Sequence, residues 1–157
     1  MVIREVEKGE LPDLSRLYAQ LIGRESDPAR MGAVYDRMAA NPDHFLLGCY
    51  DGARLCGTLQ GTVCLDLTGE CRPFLVIENV VVDSAGRGTG AGRLLMEEAE
   101  RRAQARGCAY IMLLSSAFRT RAHRFYEKCG FSGSEAVGFR KQLHPPRCAE
   151  KSAPGRP

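Results

Sequence analysis

Four glycines stand within seven consecutive positions between an apolar, β-branched run and a segment of strong helix formers: Gly86, Gly88, Gly90 and Gly92. Glycine inside a helix costs about 1 kcal/mol relative to alanine, so its concentration at a helix start needs a separate reason. The first N–H groups of a helix lack intrahelical partners, and the helix dipole places about half a positive charge there. Glycines let these groups approach an anion without a Cβ in the way. The segment therefore predicts a strand, an anion-binding turn and a helix.

The spacing of the turn excludes two common phosphate-binding loops. A Walker loop needs a lysine after its last glycine, and the chain has no lysine between Lys8 and Lys128. The dinucleotide fingerprint G-x-G-x-x-G fails because other residues stand where its last glycine would be, and because the turn follows a late strand. The pattern that fits is Arg-x-x-Gly-x-Gly, formed by Arg87, Gly90 and Gly92.

The composition is that of a folded chain. It has 157 residues, 44% hydrophobic and 26% charged, which suits one domain with a packed core. No apolar run approaches the length of a membrane span, and the first residues lack an apolar signal segment. We therefore expect a cytoplasmic protein with no membrane partner. The net charge of +3 is too weak to predict nucleic-acid binding. Only the basic C-terminal residues favour that alternative.

Seven cysteines are present, which is an odd number, and no pair has the spacing of a zinc site. Most of them lie in apolar, strand-like runs, where a free cysteine behaves as a small hydrophobic residue. We expect reduced thiols and no metal, with disulfides or metal binding as the alternative.

Hydrophobic periodicity predicts eleven elements in the order β-α-α-β-β-β-α-β-α-β-β. Strands are predicted at residues 2–6, 44–50, 54–67, 74–83 and 108–116, with a closing strand pair within 131–143. Helices are predicted from near Pro12, between Pro28 and Asn41, at 91–106 and at 120–128. Strands that occur both in hairpins and around helices predict a mixed α/β sheet with helices on its faces. The Pro-rich residues 144–157 are predicted to form a loose tail.

Two segments together carry a resemblance to a known family. IENVVVDSAGRGTGAGRLLM contains the glycine turn after a hydrophobic strand, and AHRFYEKCGF follows it at residues 122–131. In this order they resemble the signatures of the GNAT acyl-CoA-dependent N-acyltransferases, and the resemblance covers residues 2–143. It implies a mixed, mostly antiparallel central sheet of six to seven strands with about four helices on its faces. Residues 1–143 would form a single acetyltransferase domain.

The resemblance also implies where acetyl-CoA lies. Its pyrophosphate is expected on the turn and the first helical residues: Arg87, Gly88, Thr89, Gly90, Ala91, Gly92 and Arg93. Backbone groups of Val80, Val81 and Val82 are expected to pair with the pantetheine arm, which requires the strands at 74–83 and 108–116 to splay apart. An N–H group near Val80 would stabilise the oxyanion of a tetrahedral intermediate, an effect worth roughly 3 kcal/mol.

Acyl transfer to an amine needs a base for the amine proton and an acid for the leaving thiolate. Glu78 is the only charged residue in FLVIENVVV and stands where many members of the family carry their base. Burying this carboxylate would be costly unless it were used or paired; the alternative is a satisfied or edge-facing glutamate. Strand alternation points Asn79 to the opposite face. Tyr126 matches the family's acid, with a core tyrosine as the alternative.

One position departs from the family's pattern. Members often have an asparagine seven residues before the tyrosine, in contact with the pantetheine, and here that residue is Arg119. We expect Ser115, Ser116 or Arg119 to replace the contact, the arginine by reaching a phosphate of CoA. His123 either lines the cofactor channel or is a surface histidine.

These residues predict an N-acetyltransferase that moves an acetyl group from acetyl-CoA to a primary amine by direct transfer in a ternary complex. The alternative is a catalytically silent acyl-CoA-binding or sensing module. The acceptor, a small-molecule or peptide amine, is expected against the two N-terminal helices, the loop at residues 66–73 and the final strands. Many members of the family dimerise, so a homodimer is also expected.

Overall fold

A computed structural model describes residues 1–143 of the chain. Its strands and α-helices are β1 (Val2–Glu5), α1 (Leu11–Ile22), α2 (Pro28–Ala39), β2 (His44–Asp51), β3 (Arg54–Cys64), β4 (Phe74–Val82), α3 (Ala91–Ala105), β5 (Ile111–Leu113) and α4 (Thr120–Lys128). Short 3-10 helices at Lys8–Glu10 and Ser84–Gly86 precede α1 and α3. No helix within this part of the chain is long and apolar enough to cross a membrane.

The strands form one sheet in the order β1-β2-β3-β4-β5. Neighbours from β1 to β4 run antiparallel, whereas β5 runs parallel to β4. A parallel pair needs a crossover connection, and the segment containing α3 provides it. The predicted fold class, a mixed and mostly antiparallel sheet with helices on its faces, is confirmed.

Different helices cover the two faces of the sheet. α3 packs on one face, and the core there includes Leu47, Leu59, Leu75, Ile77 and Leu95. α1 and α2 cover the other face, and the core there includes Leu14, Leu17, Leu46, Tyr50 and Val81. Because successive strand residues point to opposite faces, the neighbours Leu46 and Leu47 belong to different cores. A ligand on one face therefore meets different helices from a ligand on the other.

Local signals start the helices where the sequence predicted them. The side chain of Asp27 accepts a hydrogen bond from the Arg30 N–H at 3.0 Å, and Pro28 occupies the first turn of α2. Pro12 occupies the first turn of α1 in the same way. The connection between these two helices, residues 23–27, is therefore short and held by a helix cap.

The end of the sheet differs from the prediction. The described residues form five strands instead of six to seven, and residues 131–143 adopt no strand. β5 has three residues, far fewer than the predicted 108–116, so the edge next to this segment offers few backbone partners. Val137 and Phe139 are accordingly exposed. β3 ends at Cys64 instead of residue 67. The tail predicted at 144–157 lies outside the described residues.

Candidate active site

A β-bulge interrupts β4 beside the glycine turn. Gln60 of β3 pairs with Glu78, and Thr58 pairs with Val81, so one β3 residue lies opposite two residues of β4. The extra residue is accommodated at Asn79, whose φ is +56°. Asparagine tolerates this left-handed conformation better than most residues do. The bulge therefore adds one residue to the middle of the strand.

The extra residue changes which face each later side chain meets. Val80 and Val82 pack against the core on the α3 side, whereas Val81 is buried on the α1–α2 side. Asn79 Nδ2 donates to Gln60 Oε1 at 3.3 Å. Gln60 pairs with Leu46, which belongs to the core on the α1–α2 side. The expectation that Asn79 points away from that face is therefore wrong, because alternation fails at a bulge.

β4 and β5 separate at the same level. Their parallel pairing ends at Ile77 and Leu113, while β4 continues to Val82. The edge of β4 beyond the bulge is therefore left out of the ladder with β5, as the expected splay of the two strands would require. An extended ligand can reach backbone N–H and C=O groups along such an edge.

Side-chain hydrogen bonds shape the glycine turn without filling it. Asp83 Oδ1 accepts from the Ala85 N–H at 3.0 Å, and the Thr89 hydroxyl donates to the Gly86 carbonyl at 2.7 Å. Gly88 and Gly90 have φ values of +89° and +94°, which side chains strongly disfavour. Gly88 and Gly90 thus adopt a backbone conformation that favours glycine, and the absence of side chains there leaves the turn open.

The first turn of α3 is uncapped. Its N-cap residue is Gly90, no side chain caps it, and no acidic residue lies in the first turn. The N–H groups there point out of the helix together with the positive end of its dipole. This arrangement suits a phosphate group.

The two arginines of the turn are in different situations. Arg93 Nε donates to Glu97 Oε1 at 2.7 Å, and this hydrogen bond raises the pKa of Arg93. Arg87 Nε donates weakly to the Val82 carbonyl at 3.4 Å, and within residues 1–143 no carboxylate pairs with it. Arg87 therefore has the more available charge for a phosphate.

Close packing joins the two sequence signatures. A Cβ on Gly92 would lie 3.2 Å from Phe125 Cζ, which is tighter than ordinary contact. Gly92 lies in the first turn of α3 and Phe125 lies in α4. The glycine thus lets α4 approach the glycine turn. Tyr126, which follows Phe125, packs in the core.

Tyr126 is 8% exposed and lies among aromatic rings, 5.3 Å from the centroid of Phe125 and 6.2 Å from that of Phe131. Burial raises the pKa of Tyr126; the positive charge of Arg119 opposes this shift, and the negative charge of Glu78 adds to it. The hydroxyl is therefore protonated at neutral pH. The structure therefore places Arg119 and Glu78 close enough to Tyr126 for their charges to act on its hydroxyl.

Glu78 itself is exposed, as is Asn79. The premise of burial therefore does not hold for Glu78, so the cost of desolvation gives no reason to assign it a role. Glu78 remains a candidate base because of its position, on the α1–α2 face beside the bulge and opposite Gln60.

The loop between β5 and α4 lies at the opening between the strands. Ser115 Oγ is buried and, within the described residues, lacks a hydrogen-bond partner. The neighbouring Ser116 carbonyl accepts from His123 Nε2 at 3.1 Å and from the Arg119 N–H at 2.9 Å. His123 thus anchors this loop. An unpaired buried hydroxyl is costly, so Ser115 is a better candidate for a ligand contact than Ser116.

A cavity of about 650 Å³ opens between the sheet and the helices α1 and α2. α1, α2 and their connection form its walls, and Leu46 and Gln60 contribute from the sheet. The sequence predicted a role for the two helices, but the loop at 66–73 is not part of the lining. Neither Gln60 nor Asn79 was placed in the site from the sequence. A polar glutamine inside the apolar strand LCGTLQGTVC was the signal that could have identified Gln60.

Residues 1–143 bring together no group of three or more His, Cys, Asp or Glu side chains that could hold a metal ion. Six cysteines of this region are free thiols: Cys49, Cys56, Cys64, Cys71, Cys108 and Cys129.

Comparison with known proteins gives a consistent result. Glucosamine 6-phosphate N-acetyltransferase 1 from rice (Oryza sativa subsp. japonica) is 30% identical over 130 residues, covering 78% of this chain and 77% of that protein. Two solved structures each have a TM-score of 0.84 and cover 90% of this chain and 99% of theirs. One is a putative acetyltransferase from Agrobacterium tumefaciens, 32% identical, and the other is described as a transcriptional regulator from Bacillus halodurans, 30% identical.

A sequence profile of the acetyltransferase (GNAT) family matches residues 11–131, which include the bulged strand β4, the glycine turn and Tyr126. Acetyl-CoA is the acetyl donor that this family implies. The chain belongs to the GNAT acetyltransferase family.

Proposed function

We propose that this acetyltransferase transfers the acetyl group of acetyl-CoA directly to a primary amine while both are bound. The observation that carries the proposal is the arrangement along β4: a phosphate-binding turn follows its end, unpaired backbone lies in its middle, and Glu78 precedes its bulge. Residues 1–143 act as one acetyltransferase domain. The proposed reaction needs no metal, because protein groups supply the acid and the base.

The cofactor contacts follow from the same strand. The pyrophosphate binds the N–H groups of the turn and first helical residues 87–93, with Arg87 adding charge. The pantetheine arm pairs with the backbone of residues 80–82 in the opening beside β5. Ser115 Oγ and Arg119 lie on the other side of that opening and take the place of the family's asparagine. The contact is assigned to Ser115 in preference to Ser116, whose carbonyl is engaged within the loop.

Two different residues carry out the two proton transfers of the proposed reaction. An alkylamine has a pKa of about 10.4, so its scarcity as a free base at pH 7 is a handicap of roughly 4–5 kcal/mol. Glu78 takes that proton, directly or through water. The nitrogen attacks the thioester, and an N–H group near Val80 stabilises the oxyanion. Tyr126, which is protonated at neutral pH, gives its proton to the departing sulfur.

Direct transfer is favoured over an acetylated cysteine. Cys129 is the cysteine nearest the proposed acid along the chain, and burial raises the pKa of its thiol. The thiol is therefore the dominant form at neutral pH, and a thiol is a poor nucleophile. Free thiols also suit a reducing compartment, and we propose a cytoplasmic location on that basis.

A silent acyl-CoA-binding module is the second candidate. The similarity to a Bacillus halodurans chain described as a transcriptional regulator favours it. The two candidates differ in one measurement, the release of CoA thiol from acetyl-CoA in the presence of amines. An enzyme releases thiol in proportion to acetylated amine, whereas a sensor binds acetyl-CoA without turnover.

We also propose a homodimer. Tyr110, Met112 and Leu114 alternate along β5 and its extension and are 50%, 39% and 52% exposed, and Phe118 in the following loop is 83% exposed. A concentration of exposed apolar side chains is a feature of protein–protein interaction sites.

Phe118→Asp should convert the dimer to a monomer, because it places a charge in this apolar surface. Sedimentation equilibrium of the parent should give twice the mass of one chain, and the variant should give half of that value. Leu65→Asp, at a residue that is 82% exposed, is the matched control and should leave the mass unchanged. A monomeric parent at all concentrations would contradict the homodimer.

Gly90→Val should lower the affinity for acetyl-CoA by about a hundredfold, because the branched side chain closes the turn and disturbs charge-assisted hydrogen bonds to the pyrophosphate. Isothermal titration calorimetry measures the effect. Gly107→Val is the matched control, since Gly107 also has a positive φ, +68°, but lies beyond the other end of α3. Unchanged affinity in Gly90→Val would remove the basis of the cofactor assignment.

Glu78→Gln should lower kcat/KM at pH 7 by roughly 10²- to 10⁴-fold, the usual contribution of a general base. The deficit should shrink as the pH rises toward the pKa of the amine, because the acceptor then arrives deprotonated. A pH profile of kcat/KM with one good amine tests this. Glu127→Gln, an exposed carboxylate next to Tyr126, should match the parent. If Glu78→Gln equals the parent at neutral pH, Glu78 is not the base.

Tyr126→Phe should lower kcat by roughly 10²- to 10⁴-fold while leaving the affinity for acetyl-CoA within twofold. Raising the pH should not restore the rate, because alkaline buffer supplies no proton to the sulfur. This separates the variant from Glu78→Gln in the same pH profile. Tyr110→Phe removes a hydroxyl from an exposed tyrosine and should have no effect. Recovery of Tyr126→Phe at high pH would contradict the acid role.

A further inference from the structure

We propose that the acceptor is a primary amine attached to an apolar alkyl or aromatic body, which binds in the cavity between the sheet and α1–α2. The proposal rests on the proposed function, since it identifies the acceptor class for the same reaction. It is drawn from the lining of the cavity and from the hydrogen bonds that its polar groups already make.

The cavity ends next to the reacting position. Gln60 lines it, pairs with Glu78 across β3 and β4, and accepts a hydrogen bond from Asn79. A molecule in the cavity can therefore present one end to the bulge of β4 and to the carboxylate beside it. The volume of about 650 Å³ lies within the range of small-molecule sites.

The walls are mostly apolar. The aliphatic lining residues are Leu11, Leu14, Ile22, Met31, Val34, Met38 and Leu46. Ile22 and Val34 are 54% and 51% exposed, so the apolar surface continues to the mouth of the cavity. An apolar body in the cavity would remove both this surface and its own from water.

Several of the polar groups that line the cavity are already engaged. The Tyr35 hydroxyl donates to the Val6 carbonyl at 3.0 Å. The backbone of Ser26 exchanges hydrogen bonds with the Ser15 hydroxyl. Gln60 Oε1 accepts from Asn79, as described above. These groups are therefore less available to the hydroxyl groups of an acceptor such as an amino sugar, which would lose water on entering the cavity.

Charge at the rim gives no preference for a phosphate. The charged lining residues are Arg24, Glu25, Asp27 and Arg30, two of each sign. Asp27 is moreover engaged as the cap of α2. A phosphate group at this rim would meet repulsion as well as attraction. The charged lining therefore gives no support for an amino sugar phosphate, the acceptor named for the rice relative.

Two acceptors of opposite character test the proposal. With the full chain and saturating acetyl-CoA, kcat/KM for 2-phenylethylamine should exceed that for glucosamine 6-phosphate at least a hundredfold. Calorimetry with CoA present should show the same preference in equilibrium binding. Equal or reversed preference in both measurements overturns the inference while leaving the proposed function intact. If acetyl-CoA binds but no amine is acetylated, the proposed function fails, and the binding preference alone decides the chemistry of the cavity.

A variant at the mouth locates the acceptor. Val34→Gln keeps a good helix former at an exposed position of α2 but removes apolar surface. It should raise KM for 2-phenylethylamine about fivefold and leave KM for ethylamine and for acetyl-CoA unchanged. Val2→Gln, at a residue that is 63% exposed on β1, is the matched control and should change none of these values. An equal change for ethylamine and 2-phenylethylamine would show that the apolar body does not lie at Val34, and would overturn the proposal.

Discussion

One extra residue in β4 organises the rest of this site. Had β4 continued in register with β3, Val80 would face the α1–α2 side and the strand would offer no irregular backbone. The bulge at Asn79 turns Val80 toward the α3 side and lies where pairing with β5 ends. The cost of a positive φ at an asparagine is modest and is offset by hydrogen bonding to Gln60. The register of β4 with β3 beyond Glu78, and the faces that Val80, Val81 and Val82 meet, depend on this irregularity.

The proposed sites for donor and acceptor lie on different faces of the sheet. The glycine turn begins directly after β4 and leads into α3, and Gly92 allows α4 to pack close to it. The cavity lies on the opposite face, between the sheet and α1–α2. β4 is the element that both sites share. Under the proposed mechanism, donor and acceptor approach this strand from different sides and meet at the bulge, which is the geometry that direct transfer requires.

Electrostatics supports the proposed division between acid and base. Tyr126 is buried among aromatic rings, and burial raises its pKa, so its proton is retained at neutral pH. Glu78, by contrast, is exposed to solvent. The two groups therefore have different surroundings, and different surroundings are what separate the roles of acid and base in acid–base catalysis. The positive charge of Arg119 lowers the pKa of Tyr126, so under the proposed mechanism it would stabilise the phenolate that remains after proton transfer.

The sequence by itself determined the order of most elements, the glycine turn with its uncapped helix, and the positions of Glu78 and Tyr126 along the chain. These follow from local rules, namely hydrophobic period, helix caps and the backbone freedom of glycine. Tertiary structure decided what depends on distant neighbours. The bulge arises from the register with β3, so strand alternation misplaced Asn79. Three further features depend on which segments pack beside one another. Glu78 is exposed, Ser115 Oγ finds no hydrogen-bond partner among residues 1–143, and residues 131–143 form no strand. The cavity likewise exists only because α1, α2, β2 and β3 meet, since no local pattern records an empty space between elements far apart in the chain.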